Sequence, residues 1–166
     1  MLENIRKMKR EEIPQCVCVI RSAFATVADE FGFTAENASR FTAFATNEER
    51  LWWHFEQEHR PMYVYCIGER IVGYYSLALL NDGAVELNNL AVIPAYRHMG
   101  IGGQMLQHAF AVAENIGYNR MKISIVEENK VLRNWYESYE FVHTGIKKFD
   151  FFPFTCGYLE RELSAR

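Results

Sequence analysis

The chain has 166 residues, of which 49% are hydrophobic and 23% charged, and its formal net charge is −3. This length and composition predict one globular domain over residues 1–166. The mildly acidic balance argues against a nucleic-acid or anionic-membrane partner, because both require a basic surface. Neither a membrane-length apolar run nor a signal-peptide pattern is present, so we expect a cytoplasmic protein.

Hydrophobic periodicity and turn residues predict strands and helices along the whole chain. The predicted order is a short strand, several helical segments, antiparallel hairpins and then alternating strands and helices. This order indicates an α/β (α+β) fold, in which one mixed central sheet carries helices on both faces. The predicted strands cover residues 4–8, 62–67, 71–80, 84–93, 120–126, 141–149 and 155–162, and the predicted helices cover residues 10–27, 35–43, 47–59 and 130–139.

Local signals place the ends of several helices. Thr34 begins a predicted helix, and Thr46 with Glu49 matches a capping box, in which each side chain bonds the other residue's backbone N–H. A further helix follows the glycine-rich turn near residue 100 and ends at Gly117, a C-terminal cap. Its predicted core face is made of Met105, Leu106, Ala109, Phe110 and Ala113.

The most informative segment is an apolar strand, Leu90-Ala91-Val92, that leads through a proline bend into this glycine-rich turn. Arg97 and the glycines at 100, 102 and 103 would bring a cation and open backbone N–H groups to the positive end of the helix. Such an arrangement favours a diphosphate ligand, although a plain helix-capping turn is the simpler alternative. Neither a dinucleotide motif nor a P-loop fits, because Met105 replaces the third glycine and no Gly-Lys-Ser/Thr occurs.

Two motifs together carry a family resemblance. The residues from Arg97 to Gly102 fit Arg/Gln-x-x-Gly-x-Gly/Ala, and at this motif the chain resembles the GNAT (Gcn5-related N-acetyltransferase) acyltransferases. Roughly 30 residues downstream, a second segment is similar to that family's Asn-x-x-Ala-x-x-x-Tyr-Glu-Lys-x-Gly-Phe signature. Leu132 and Glu140 depart from this signature, which affects packing and a turn. Asn129, Tyr136, Glu137 and Phe141 match it.

The resemblance implies an N-acetyltransferase with acetyl-CoA as cosubstrate. It implies that the pyrophosphate lies on the backbone N–H groups of the glycine-rich turn, where His98 and Met99 contribute only their backbone. It also implies that the pantetheine arm pairs with the backbone of the preceding strand. The implied cofactor-binding residues are Leu90, Ala91, Val92, Arg97, His98, Met99, Gly100, Ile101, Gly102, Gly103, Asn129 and Tyr136.

Acetyl transfer to an amine requires a base, an oxyanion donor and a proton for the departing thiolate. Glu86 is the candidate base, with water or a purely solvated carboxylate as the alternatives. A backbone N–H near Leu90 or Ala91 is the candidate oxyanion donor. Tyr136 is the candidate acid, and a core aromatic is its alternative role. Asn129 is expected to cap the helix that carries Tyr136.

The acceptor amine stays open between a small amine, an amino acid, an antibiotic and a protein. An inactive CoA- or acyl-CoA-binding sensor with the same fold is the alternative function. We expect no metal, because neither the histidines nor the four cysteines have ligand spacing. An aromatic-rich set could line an acceptor pocket, form a homodimer face or fill the core: Trp52, Trp53, Phe55, Phe149, Phe151, Phe152 and Phe154.

Overall fold

The computed structural model describes residues 2–164. Its strands are β1 (Ile5–Lys7), β2 (Met62–Ile67), β3 (Arg70–Leu79), β4 (Ala84–Val92), β5 (Arg120–Val126), β6 (Val142–Lys148) and β7 (Thr155–Glu162). Its helices are α1 (Ile13–Phe31), α2 (Thr42–Ala45), α3 (Glu48–Glu56), α4 (Ile101–Asn115) and α5 (Lys130–Glu137).

The strands form one mixed sheet in the order β1-β2-β3-β4-β5-β7-β6. Each neighbouring pair is antiparallel except β4 and β5, which run parallel. The predicted strands lie within one residue of the observed bounds, because their alternating pattern and turn residues are strong local signals. The predicted mixed sheet with helices on both faces is therefore confirmed.

Two predicted helix starts are wrong. Residues 35–41 form turns instead of a helix, because Thr34 and Asn37 each bond the other's backbone N–H through their side chains, at 3.1 and 2.8 Å. Short polar side chains that do this compete with the helix. The capping box is also absent: Asn47, not Thr46, caps α3 by accepting from the Arg50 N–H at 2.8 Å. The Thr46 hydroxyl instead donates to the Thr42 carbonyl at 2.7 Å.

Helix α1 is shifted relative to its prediction. Residues 10–12 form a short 3-10 helix, and the α-helix begins at Ile13. It runs four residues beyond the predicted end at residue 27 and stops at Gly32, whose φ of 74° is in the left-handed region. The extra turn packs Ala28 and Phe31 against the aromatic cluster, and the helix ends where glycine allows a positive φ.

Separate clusters of buried residues cover the two faces of the sheet. One face packs against α4, whose predicted core residues, Met105, Leu106, Ala109, Phe110 and Ala113, are all buried. The opposite face packs against α1 and α3 through Ile13, Val17, Ile20 and Leu51. Gly117 lies just past α4 with a φ of 96°, as predicted for a C-terminal cap.

The aromatic-rich set divides between the core and the surface. Phe152 and Phe154 stack at 4.5 Å between ring centroids, and Phe154 also contacts Phe33 and Phe41 from the chain before α2. By contrast, Trp52 and Trp53 are exposed on α3. Core packing therefore explains Phe154, which is buried, and Phe149 and Phe152, which are partly buried against the same cluster, whereas Phe151 is exposed. A homodimer stays a prediction.

The β4–β5 pair opens partway along its length. Pairing connects Ala84–Glu86 with Arg120–Lys122 and, within residues 2–164, goes no further. On its other edge β4 remains paired with β3, where a bulge sets Asn89 and Leu90 against Tyr75 alone. Asn89 has a φ of 56°, which asparagine tolerates better than most residues. The opening leaves the backbone of residues 87–92 free on the side that faces β5.

Candidate active site

A cavity of about 690 Å³ occupies the opening between β4 and β5. On one side it reaches the first turn of α4 and the inner face of α5. On the other side it reaches α1 and α2, so it passes between the two faces of the sheet. Its wall includes Leu90, Ala91, Val92, Arg97, His98, Gly100, Ile101, Gly102, Gly103, Asn129 and Tyr136, but neither Met99 nor Glu86.

The turn before α4 can hold an anion. Gly100 caps the helix with a φ of 79°, a conformation that glycine adopts without strain. The first intrahelical bond runs from the Gln104 N–H to the Gly100 carbonyl, at 3.1 Å. The N–H groups of residues 101–103, which precede Gln104, consequently have no hydrogen-bond acceptor within the helix. Residues 101–103 line the cavity at the positive end of the α4 dipole, and this arrangement suits a diphosphate.

Helix α5 and the residues just after it pack over this turn, and Gly103 is the glycine that this packing requires. A Cβ on Gly102 would lie 3.6 Å from the Trp135 ring, and one on Gly103 would overlap the Tyr139 hydroxyl. Trp135 and Tyr139 also contact each other, with 5.1 Å between ring centroids. The glycines therefore leave the backbone N–H groups uncovered, and Gly103 also leaves room for the Tyr139 hydroxyl.

The side chain of Arg97 is hydrogen-bonded to α1 in this structure. Its Nη1 donates to the Thr26 hydroxyl at 2.9 Å and its Nη2 donates to the Ala23 carbonyl at 2.8 Å. Both acceptors belong to α1. A helix carbonyl with a threonine hydroxyl beside it matches the two parallel donors of the guanidinium, so both Nη atoms find acceptors on α1. Burial in this position lowers the pKa of Arg97.

The bulge in β4 lies at the centre of the cavity wall. Leu90 is part of the bulge, and Ala91 and Val92, the other two strand residues predicted to contact pantetheine, follow it directly. A bulge removes a residue from the regular ladder and leaves its backbone polar groups for another partner. The predicted oxyanion donors near Leu90 and Ala91 therefore occur where β4 faces an unpaired gap.

Asn129 and Tyr136 lie on the opposite wall. The Asn129 side chain accepts from the Leu132 N–H at 3.2 Å, which confirms it as the cap of α5. Tyr136 is 7% exposed, and burial raises the pKa of its hydroxyl above the usual value of 10. That hydroxyl makes no hydrogen bond to any described residue, although the ring contacts Trp135 and Phe141.

Glu86 lies on β4 just before the opening. Its neighbours Val85 and Leu87 are buried on the α4 face, so Glu86 and Asn88 point to the face that carries α1 and α3. Glu86 is half-buried and lies outside the cavity wall, whereas Asn88 is part of it. With its amide oriented to satisfy both neighbours, Asn88 donates to a Glu86 oxygen at 3.0 Å and accepts from Arg60 at 3.1 Å.

Several wall residues have no clear signal in the sequence. Ser124 enters the wall from β5, and Arg60, which lies outside the wall, reaches Asn88 from the loop after α3. Phe24, Glu30 and Thr42 complete the side of the cavity away from α4. The bulge at Asn89 has one usable signal, an Asn-Asn pair within a mostly apolar strand, because asparagine tolerates the left-handed region better than most residues.

Within residues 2–164, no group of three or more His, Cys, Asp or Glu side chains is arranged to hold a metal ion. No helix in the described part of the chain combines the length and apolarity needed to cross a membrane.

Comparison with known proteins gives both a family match and structural matches. The acetyltransferase (GNAT) family model matches residues 26–141. A curated relative, an uncharacterized N-acetyltransferase in the lysA 3' region of Bacillus methanolicus, is 31% identical over 51 residues. That alignment covers 31% of this chain and 42% of the relative, so the chain spans less than half of the relative's length.

Solved structures share the fold over nearly the whole chain. The PaiA N-acetyltransferase from Thermoplasma acidophilum, in complex with coenzyme A, has a TM-score of 0.80 at 17% identity and covers 95% of this chain and 97% of its own. The ribosomal-protein-S18-alanine N-acetyltransferase from Escherichia coli has a TM-score of 0.74 at 14% identity, with 98% and 94% covered. A phosphinothricin acetyltransferase from Sinorhizobium meliloti, in complex with acetyl-CoA, has a TM-score of 0.75 at 14% identity, with 96% and 87% covered.

Proposed function

The chain belongs to the acetyltransferase (GNAT) family, and on that premise we propose that it transfers the acetyl group of acetyl-CoA to a primary amine. The observation that carries the proposal is the cavity itself. It joins an anion-binding helix terminus, an opened pair of strands and a separate approach from the α1 side. A long phosphate-bearing donor and a small acceptor can therefore meet from opposite faces of the sheet.

The donor's fit rests on backbone groups. The N–H groups of residues 101–103 are free to bind the two phosphates, and Gly100 lets the chain approach them closely. The β5-facing edge of residues 90–92 is free to pair with the amides of the pantetheine arm. When bound, acetyl-CoA supplies a thioester carbonyl carbon that an amine nitrogen can attack.

The acceptor's activation rests on removal of a proton. A primary amine has a pKa of roughly 10 and is mostly protonated at neutral pH. We propose that Glu86, held by Asn88, receives this proton directly or through a water molecule. The free amine nitrogen then forms a bond to the carbonyl carbon, and an N–H near Leu90 or Ala91 stabilises the resulting oxyanion.

The leaving group's stabilisation rests on Tyr136. When the carbon–sulfur bond breaks, the sulfur leaves as a thiolate whose conjugate acid has a pKa of roughly 8.5. The buried Tyr136 hydroxyl lies in the cavity wall without a competing partner among the described residues, and it donates its proton or a hydrogen bond to this sulfur. The attack is direct and needs no covalent acyl-enzyme.

The experiment combines binding with turnover. Calorimetry should detect CoA and acetyl-CoA binding, and thiol release should be followed with putrescine, tyramine, lysine amide and a short peptide with a free N-terminus. At ligand near 100 times Kd, the stability gain should reach about 2.7 kcal/mol. Stabilisation without turnover on any amine would favour the inactive sensor, whereas no binding at all would contradict both functions.

A further inference from the structure

Arg97 connects the two halves of the cavity. Its backbone belongs to the glycine-rich turn that precedes α4, yet its guanidinium binds α1 on the other side of the sheet. Helix α1 contributes Ala23 and Phe24 to the cavity wall away from α4. One side chain therefore spans from the proposed donor site to the proposed acceptor site.

The contact is a closed group of three hydrogen bonds. Arg97 donates to the Thr26 hydroxyl at 2.9 Å and to the Ala23 carbonyl at 2.8 Å. The Thr26 hydroxyl in turn donates to the same Ala23 carbonyl at 2.8 Å. Only a planar fork with two parallel donors fits both acceptors, so a lysine at this position would lose one of the bonds.

The position of Phe24 depends on this group, because Phe24 lies between Ala23 and Thr26 on α1. Its ring contacts Phe41 edge-on at 6.1 Å, and Phe41 contacts Phe154 at 5.7 Å. A rotation of α1 would therefore move the cavity wall and disturb the aromatic cluster behind it. The two hydrogen bonds from Arg97 hold α1 against that rotation, and the third orients the Thr26 hydroxyl.

From these contacts we infer that Arg97 is a positioning residue for the acceptor site, acting through α1, rather than a ligand of the diphosphate. The inference rests on the proposed acetyl transfer. In this account the backbone N–H groups of residues 101–103 bind the phosphates. Arg97 instead fixes the position of α1, which forms one wall of the acceptor site, relative to the donor site. Loss of the hydrogen bonds between Arg97 and α1 therefore weakens acceptor binding more than it weakens CoA binding.

Thr26 offers a matched pair of variants that leaves the glycine-rich turn untouched. Thr26→Ser keeps the hydroxyl, whereas Thr26→Val replaces it with a methyl group of similar size. At saturating acetyl-CoA, we expect Thr26→Val to raise the acceptor KM at least fivefold for the best amine of the panel. We expect kcat to change less than twofold, the calorimetric Kd for CoA to change less than twofold, and Thr26→Ser to behave as the wild type.

Arg97→Lys and Arg97→Gln test the same inference from the other partner. Both should raise the acceptor KM as Thr26→Val does, and amide exchange of residues 20–31 should accelerate in all three variants. If instead Thr26→Val leaves the acceptor KM unchanged while the Arg97 variants weaken CoA binding tenfold, Arg97 is a phosphate ligand and the inference is wrong. If the wild type acetylates no amine, the proposed function fails, and the exchange difference between Thr26→Val and Thr26→Ser still decides whether Arg97 holds α1.

Discussion

The side-chain nitrogen of Asn88 lies 3.0 Å from a carboxylate oxygen of Glu86, two residues earlier on the same strand. Because Arg60 fixes the other end of the Asn88 amide at 3.1 Å, the carboxylate has a defined orientation beside the cavity. Glu86 itself lies outside the cavity wall, and its hydrogen bond to Asn88 connects it to a residue of that wall.

Replacing Glu86 with Gln should lower kcat/KM for a primary amine by about 100-fold at neutral pH, within the usual range for loss of a general base. The loss should shrink as the pH approaches the amine's own pKa, because more of the acceptor is then already deprotonated. Steady-state kinetics across pH measure this. Glu69→Gln, in the turn between β2 and β3 and outside the cavity wall, is the matched control. Equal activity of the two variants would assign the base role to water alone.

Replacing Tyr136 with Phe should reduce kcat at least tenfold while leaving the calorimetric Kd for CoA within about twofold, since the ring and its packing remain. Burial raises the pKa of the Tyr136 hydroxyl, so the wild-type profile should show no loss of activity from its deprotonation up to pH 9. Tyr118→Phe is the control, because Tyr118 is half-buried but outside the cavity wall. An unchanged kcat in Tyr136→Phe would leave Tyr136 a core aromatic.

Gly73→Ala should destabilise the fold by about 1–3 kcal/mol, the usual range for overpacking a filled core. A Cβ at this position would lie 2.8 Å from the Met105 methyl carbon and 3.1 Å from the Tyr65 Cβ. Gly145→Ala is the control, because no atom lies within 4 Å of a Cβ added there. Denaturant unfolding of both variants measures the difference, and equal stability would mean that the β3–α4 interface can expand.

Acid should destabilise the protein partly through His54. Burial lowers the pKa of His54 from 6.5 to about 4, and its Nδ1 is buried without a hydrogen-bond partner among the described residues. Between these two pKa values, His54 is protonated in the unfolded chain but neutral in the folded chain. The free energy of unfolding therefore decreases as the pH drops from about 6.5 to about 4. Unfolding free energies of the wild type and His54→Gln across this range measure it. Identical slopes would show that His54 does not contribute.

The sequence predicts the sheet well and the cavity only in part. Strands such as β5 carry their own pattern, and Asn129 and Tyr136 are in register with a known motif. Contacts between distant segments carry no local signal: nothing near Arg97 indicates that its side chain binds Thr26, which is 71 residues away. The same limit hides Arg60 beside Asn88. The two wrong helix starts have a local cause. Thr34 and Thr46 match helix-capping patterns, but hydrogen bonds of the neighbouring side chains of Asn37 and Asn47 determine the structure there.

The central claim is acetyl transfer at the opening between β4 and β5, and isotope transfer tests it most directly. The protein should be incubated with acetyl-CoA labelled in the acetyl group and the amine panel, and the amines should be analysed by mass spectrometry. The account predicts a labelled acetyl group on at least one amine, with one free CoA thiol per amide formed and strong loss of product in Tyr136→Phe. Labelled acetate without any acetylated amine, or no consumption of acetyl-CoA, would contradict it.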